Sequence, residues 1–176
     1  VTILSFFVVL PTVSILIEWA VRPQRRDLLL LIGRWIVFWA VGMRLFTAGL
    51  SQAMRPEYTA EVIFDVTSPV VLPFIQELGF ANLALGLVAI VSVLKREWVA
   101  PAALAGAMFF GLAGLRHALV AEDATGTRIV ALASDLFIFA VLTGYLLRRG
   151  IRSRSRARGE RRRPHADEPA PSASGS

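Results

Sequence analysis

The sequence predicts an all-α fold, an integral membrane bundle of about five transmembrane helices with a disordered basic C-terminal tail. Three observations predict it. The 176-residue chain is 55% hydrophobic, and its apolar residues fall in blocks near the ~20 residues that span a bilayer core. Its basic residues crowd into alternate connections between those blocks. Ionisable residues nonetheless stand inside the blocks, where each costs at least ~2.5 kcal/mol unless paired or solvated. The expected division is a bundle over 1–150 and a tail over 151–176.

The first apolar block runs from about Thr2 to Val21, with a kink expected at Pro11. It has no charged leader and no small-residue cleavage site, so a retained helix is expected. The second runs from about Leu28 to Leu50. The third runs from about Pro69 to Leu94, with Pro69 and Pro73 shaping its first turns. The fourth opens at Pro101, a favourable first helical position, and ends near Val120. The fifth runs from about Thr127 to Leu147. Between the second and third, Tyr58, Val62, Ile63 and Val66 share one helical face, which predicts a short interfacial helix within Glu57–Ser68.

Charge sets the expected orientation. Arg22, Arg25 and Arg26 follow the first block, Lys95 and Arg96 the third, and a run of arginines the fifth. The positive-inside rule makes that side cytoplasmic, with the N-terminus outside and the C-terminus inside. Lys95 is the single lysine. The arginine- and alanine-rich composition points to a bacterial source, hence to the inner membrane. Beyond Ser153 the chain is rich in Arg, then in Pro, Ala and Ser, a composition that cannot bury apolar surface. Because the arginines leave the membrane directly, anionic lipid headgroups are their expected partner, at ~1 kcal/mol per residue near the surface. Nucleic acid is not expected. A homo-oligomer or a membrane partner protein is open.

The candidate site is a polar cluster within the apolar blocks: Arg44, Glu77, Asn82, Arg116, His117 and Asp135. From helix rise and topology, Arg44 lies about 9 Å below the outer surface, Glu77 and Asp135 about 12 Å, and Arg116 and His117 about 5 Å. Two arginines then face two carboxylates, which lets a low-dielectric interior hold them. Glu18 and Arg34 form an expected second pair toward the cytoplasmic side. Ala40, Arg44 and Ala48 make a stripe on one helix, and Gly106, Phe110, Ala113 and His117 share a face of another. Gly79, Asn82 and Gly86 share a face of the third, but Glu77 is about 140° away from Asn82 on an ideal helix. Such a cluster serves either helix register or ligand binding, and the residues admit both.

Several chemistries are excluded or unsupported. Cysteine is absent, so disulfides, thiolate metal sites and thiol redox relays are out. No catalytic residue, metal site or cofactor is expected, and an enzyme is the less favoured class. His117 with Asp135 and Glu77 could ligate a metal only against the opposing Arg44 and Arg116. Gly111-x-x-Gly114 lacks a phosphate-loop context, and Ser134-Asp135 lacks a base at a recognisable spacing.

Four stretches carry a resemblance: Arg44 to Gly49, Glu77-Leu78-Gly79-Phe80-Ala81-Asn82-Leu83-Ala84-Leu85-Gly86, Phe110-Gly111-Leu112-Ala113-Gly114-Leu115-Arg116-His117-Ala118, and Ser134-Asp135-Leu136-Phe137. Together they resemble an uncharacterised family of small bacterial multi-pass membrane proteins, a domain of unknown function, over roughly 28–147. That resemblance implies no activity or ligand. The order of an arginine, an amphipathic connector and Glu77-Leu78-Gly79 is also weakly similar to the DoxX-like membrane proteins. There the spacing is Glu-x-x-Gly, and the first block here is extra. That likeness implies a quinone-linked or redox-stress accessory role. The expected function is therefore binding of a partner or lipid-like molecule through the polar cluster. The alternatives are a small transporter or permease subunit using the cluster for a solute or proton, and an oxidoreductase accessory.

Overall fold

The computed structural model describes residues 8–21, 27–119 and 126–161. Among them the secondary structure is helical, with no strand. Five helices account for most of it: α1 (Leu10–Val21), α2 (Leu28–Met54), α3 (Pro69–Val91), α4 (Arg96–Leu119) and α5 (Gly126–Arg161). The last four are long and apolar enough to cross a membrane. The beginning of the first expected span, 1–7, lies outside the described residues.

The helices alternate in direction. Contacts pair Glu18 with Arg34, Gly49 with Gly79, Gly106 with Leu142, and Asp27 with Arg152. One end of the bundle, here the basic end, therefore gathers Val21, Leu28, Val91, Arg96 and Arg152. The other is the far end. α2 is the hub and touches every other helix. Its buried Val37, Ala40, Val41 and Leu45 meet Ala89 of α3, Ala103, Ala107 and Phe110 of α4, and Ile138, Leu142 and Tyr145 of α5. Outward surfaces stay apolar, with Phe74, Leu87, Leu104, Met108, Leu112 and Phe137 exposed. That is the surface a bilayer requires and water penalises.

Small residues let backbones touch. A Cβ on Gly49 would stand 2.6 Å from the Gly79 carbonyl oxygen, so α2 and α3 meet main chain to main chain, as small-residue interfaces between apolar helices do. The Tyr145 ring similarly occupies the space over Gly33.

Several expected boundaries move. α2 runs on to Met54 and carries a π-helical segment, Val37–Met43, at its middle. There the Arg44 N–H reaches the Trp39 carbonyl. Each such turn holds an extra residue and rotates everything after it, a change that apolar spacing does not report. α4 starts with a tight turn at Arg96–Trp98, ahead of Pro101. Pro101 still falls in the first α turn, where no N–H bond is lost. The connector is helical only over Pro56–Tyr58 and Thr59–Ile63. Tyr58, Val62 and Ile63 are exposed while Thr59 and Ala60 are buried, but Val66 lies past the helical turns, beyond Asp65 at φ 55°. α5 stays helical to Arg161, because arginine is a good helix former and an unbroken helix satisfies its own carbonyls. Residues 162–176 lie outside the described residues.

Candidate functional site

The polar residues expected to form one cluster sort into separate places. At the centre, Arg44 Nη1 donates to Asp135 Oδ1 at 2.8 Å. His117 Nε2 stands 3.8 Å from the other carboxylate oxygen. The Arg44 guanidinium lies 4.6 Å above the Phe110 ring, a favourable cation–π arrangement. Asp135 is 2% exposed, whereas the Arg44 and His117 side chains are 28% and 30% exposed. A buried carboxylate is thus held between two half-open nitrogen groups from α2 and α4. At 3.8 Å the histidine contact is too long for a hydrogen bond, and it is an ion pair only with a protonated imidazole.

The other three candidates do not join them. Asn82 is buried on the face shared with Gly79 and Gly86, against α2. Its Nδ2 donates to Gln52 Oε1 at 2.8 Å. Its Oδ1 has no hydrogen-bond partner, which leaves one buried acceptor unsatisfied at the α2–α3 contact. That face being inward, Glu77 is turned outward and exposed. It differs in depth too. Gly79 lies against Gln52 and Ala53 in the last turns of α2, so Glu77 sits level with the end of that helix, well away from Arg44. Arg116 is exposed on the outward face of α4. The expectation of two arginines facing two carboxylates is corrected to one arginine, one carboxylate and one histidine.

The second pair forms between α1 and α2. Glu18 Oε2 accepts from Arg34 Nη2 at 2.8 Å and from Trp35 Nε1 at 2.8 Å. One turn further along, Trp39 Nε1 donates to Ser14 Oγ at 3.0 Å. Ser14, Ile17, Glu18, Val21, Arg34 and Trp35 line an open groove of about 280 Å³. A second groove of about 280 Å³ lies between the start of α2 and α5. Both are toward the basic end, not at Asp135.

Sequence pattern missed the roles of Trp35, Phe110, Gln52 and Tyr145. An indole or ring beside an arginine is a signal only once the fold shows which faces meet. Among the described residues no group of three His, Asp or Glu could hold a metal ion. Glu77, the third conceivable ligand beside His117 and Asp135, is the one turned away.

No curated protein and no solved structure gives a match to this chain. The profile of a family described as a family of unknown function, DUF6790, matches residues 1–155. That range takes in all five helices but the end of α5, and with it both ion pairs. The chain belongs to the DUF6790 family, whose function is unknown.

Proposed function

We propose that the chain is a multi-pass inner-membrane protein that binds the polar head of a lipid-like molecule, or a membrane partner, at Arg44, His117 and Asp135. One observation carries this reading. Asp135 is sealed within the bundle while both groups that hold it remain open on one side. Exposure of both nitrogen groups lowers what the pair is worth as a mere tie between helices, because water screens it. Here both side chains keep accessible surface on which a ligand can rest. Intramembrane ionisable groups are functional by default.

The experiment is extraction from purified protein. Wild type is compared with the double substitution Arg44→Met and Asp135→Asn, which keeps the site neutral. A small molecule should accompany wild type and be depleted in the double variant. Identical extracts from both proteins would sink the reading. Quinone among the depleted molecules would support the oxidoreductase-accessory alternative.

The contact of His117 with Asp135 favours a second reading, a proton or solute site of a small transporter. Proton flux into proteoliposomes that is abolished by Asp135→Asn would support it. Orientation belongs to the same proposal, with α5 running out into the cytoplasm. A periplasm-active reporter fused after Leu147 would overturn it.

A further inference from the structure

The groove at the basic end has a composition of its own. Leu29, Leu30 and Tyr145 form its apolar wall, and Asp27, Arg149, Arg152 and Ser153 its polar rim. Asp27 caps α2, accepting from Leu30 N–H at 3.4 Å, and also accepts from Arg152 Nη1 at 2.8 Å. Arg149 Nη1 donates to the Tyr145 hydroxyl at 3.2 Å. Among the described residues no carboxylate stands within ion-pair distance of Arg149. With Asp27 offsetting Arg152, the described residues of the rim carry a net positive charge at Arg149. The groove also lies where α5 passes from its apolar span to its arginine run and where α2 begins, which is the headgroup level of a bilayer holding these helices.

We infer that this groove binds the phosphate of one anionic phospholipid. The occupant follows from complementarity. Leu29, Leu30 and the exposed Leu28 offer an apolar track for an acyl chain on the membrane side. Arg149, Arg152 and the Tyr145 hydroxyl converge on the rim, and a guanidinium pairs with phosphate in two-point fashion. A phosphate charge suits the positive charge that Arg149 brings to the described rim. The site differs from general attraction between a basic segment and a charged surface. α5 continues as a helix to Arg161, and at 1.5 Å per residue Arg158 stands about 16 Å past Leu147. A helix leaving the membrane end-on carries that arginine about 10 Å beyond the headgroups, roughly one Debye length. The arginines that recognise lipid are therefore Arg149 and Arg152, and the distal ones contribute little.

The test uses the full chain in phosphatidylcholine nanodiscs containing phosphatidylglycerol, with retained lipid counted by native mass spectrometry. Wild type should retain one phosphatidylglycerol. Arg149→Gln should retain it about tenfold less, the loss of a charge-assisted hydrogen bond. Arg158→Gln should leave retention unchanged. Asp27→Asn should retain as much lipid or more, because asparagine caps equally well and frees Arg152. Thermal unfolding in pure phosphatidylcholine should be the same for all four proteins. Equal losses for Arg149→Gln and Arg158→Gln would mean diffuse attraction and overturn the site, as would reduced retention in Asp27→Asn. Full displacement of the lipid by inorganic phosphate at equal concentration would identify a free-anion site and overturn the lipid assignment.

Discussion

The two ion pairs inside the apolar helices have the same chemistry and join very different parts of the chain. Glu18 and Arg34 connect neighbouring helices, α1 and α2, only sixteen positions apart. Arg44 and Asp135 connect α2 to α5 across ninety-one positions. The first closes a local hairpin and holds a short outer helix. The second ties the hub to the last helix, beside the fully buried Phe110, Ile138 and Leu142. Losing the first should undock an element, and losing the second should loosen the whole bundle. The lesson is that the cost of an unpaired charge depends on how much structure must move to rehydrate it.

The sharpest way to break that comparison is to take the Asp135 carboxylate from Arg44. Asp135→Asn leaves a guanidinium that cannot lose its proton. The cost should be about 3 kcal/mol, the low end for a broken buried pair, because Arg44 is partly open. Thermal unfolding in detergent should show a single lowered transition. An unchanged transition would mean that the pair does not hold α5. Arg44→Met should cost less, about 1–2 kcal/mol, because a carboxylic acid can take up a proton and become neutral. The double substitution should be milder than the sum by at least 1 kcal/mol. Additivity within about 0.5 kcal/mol would mean the two residues are uncoupled.

Taking the carboxylate from the other arginine should look different. In Glu18→Gln the side-chain oxygen can still accept from Trp35, and α1 can swing out to hydrate Arg34. Hydrogen exchange should accelerate in α1 alone, with the main transition lowered by no more than about 1 kcal/mol. A global shift as large as that of Asp135→Asn would erase the distinction between the two pairs.

Much of the architecture was legible because apolar length and charge asymmetry are one-dimensional signals. The four long helices fall where the blocks predict, and Arg44, Asp135 and Glu18 with Arg34 pair as opposite charges at matching depth. What failed depended on rotation and on relative offset. Glu77 and Asn82 could not both face inward, and close α2–α3 backbone contact through Gly49 and Gly79 decided for Asn82. Depth counted from Pro69 assumed that all helices end at one level, but α3 extends past the end of α2 by more than a turn. The π-helical segment before Arg44 inserts an offset that no hydrophobic pattern encodes. Arginine-rich composition also says nothing of where a helix stops, and α5 runs to Arg161.

The smallest expected effects sharpen the comparison from outside. Glu77 and Arg116 are ionisable residues within apolar stretches, yet they are exposed and have no ion-pair partner among the described residues. Glu77 lies near the far end, where a carboxylate keeps access to water. Arg116 is three residues from the end of α4, so its long side chain can reach the interface while its stem lies along apolar surface. Neither should carry the bundle. Glu77→Gln and Arg116→Gln should each shift stability by no more than about 0.5 kcal/mol, the usual range for surface positions. Combined with Asp135→Asn they should simply add, because neither touches Arg44. A cost above about 1 kcal/mol for Arg116→Gln, or a non-additive one, would put Arg116 back beside Asp135. The site would then hold two guanidinium groups and one carboxylate, a positive site suited to an anion rather than a neutral pair with a histidine at its edge.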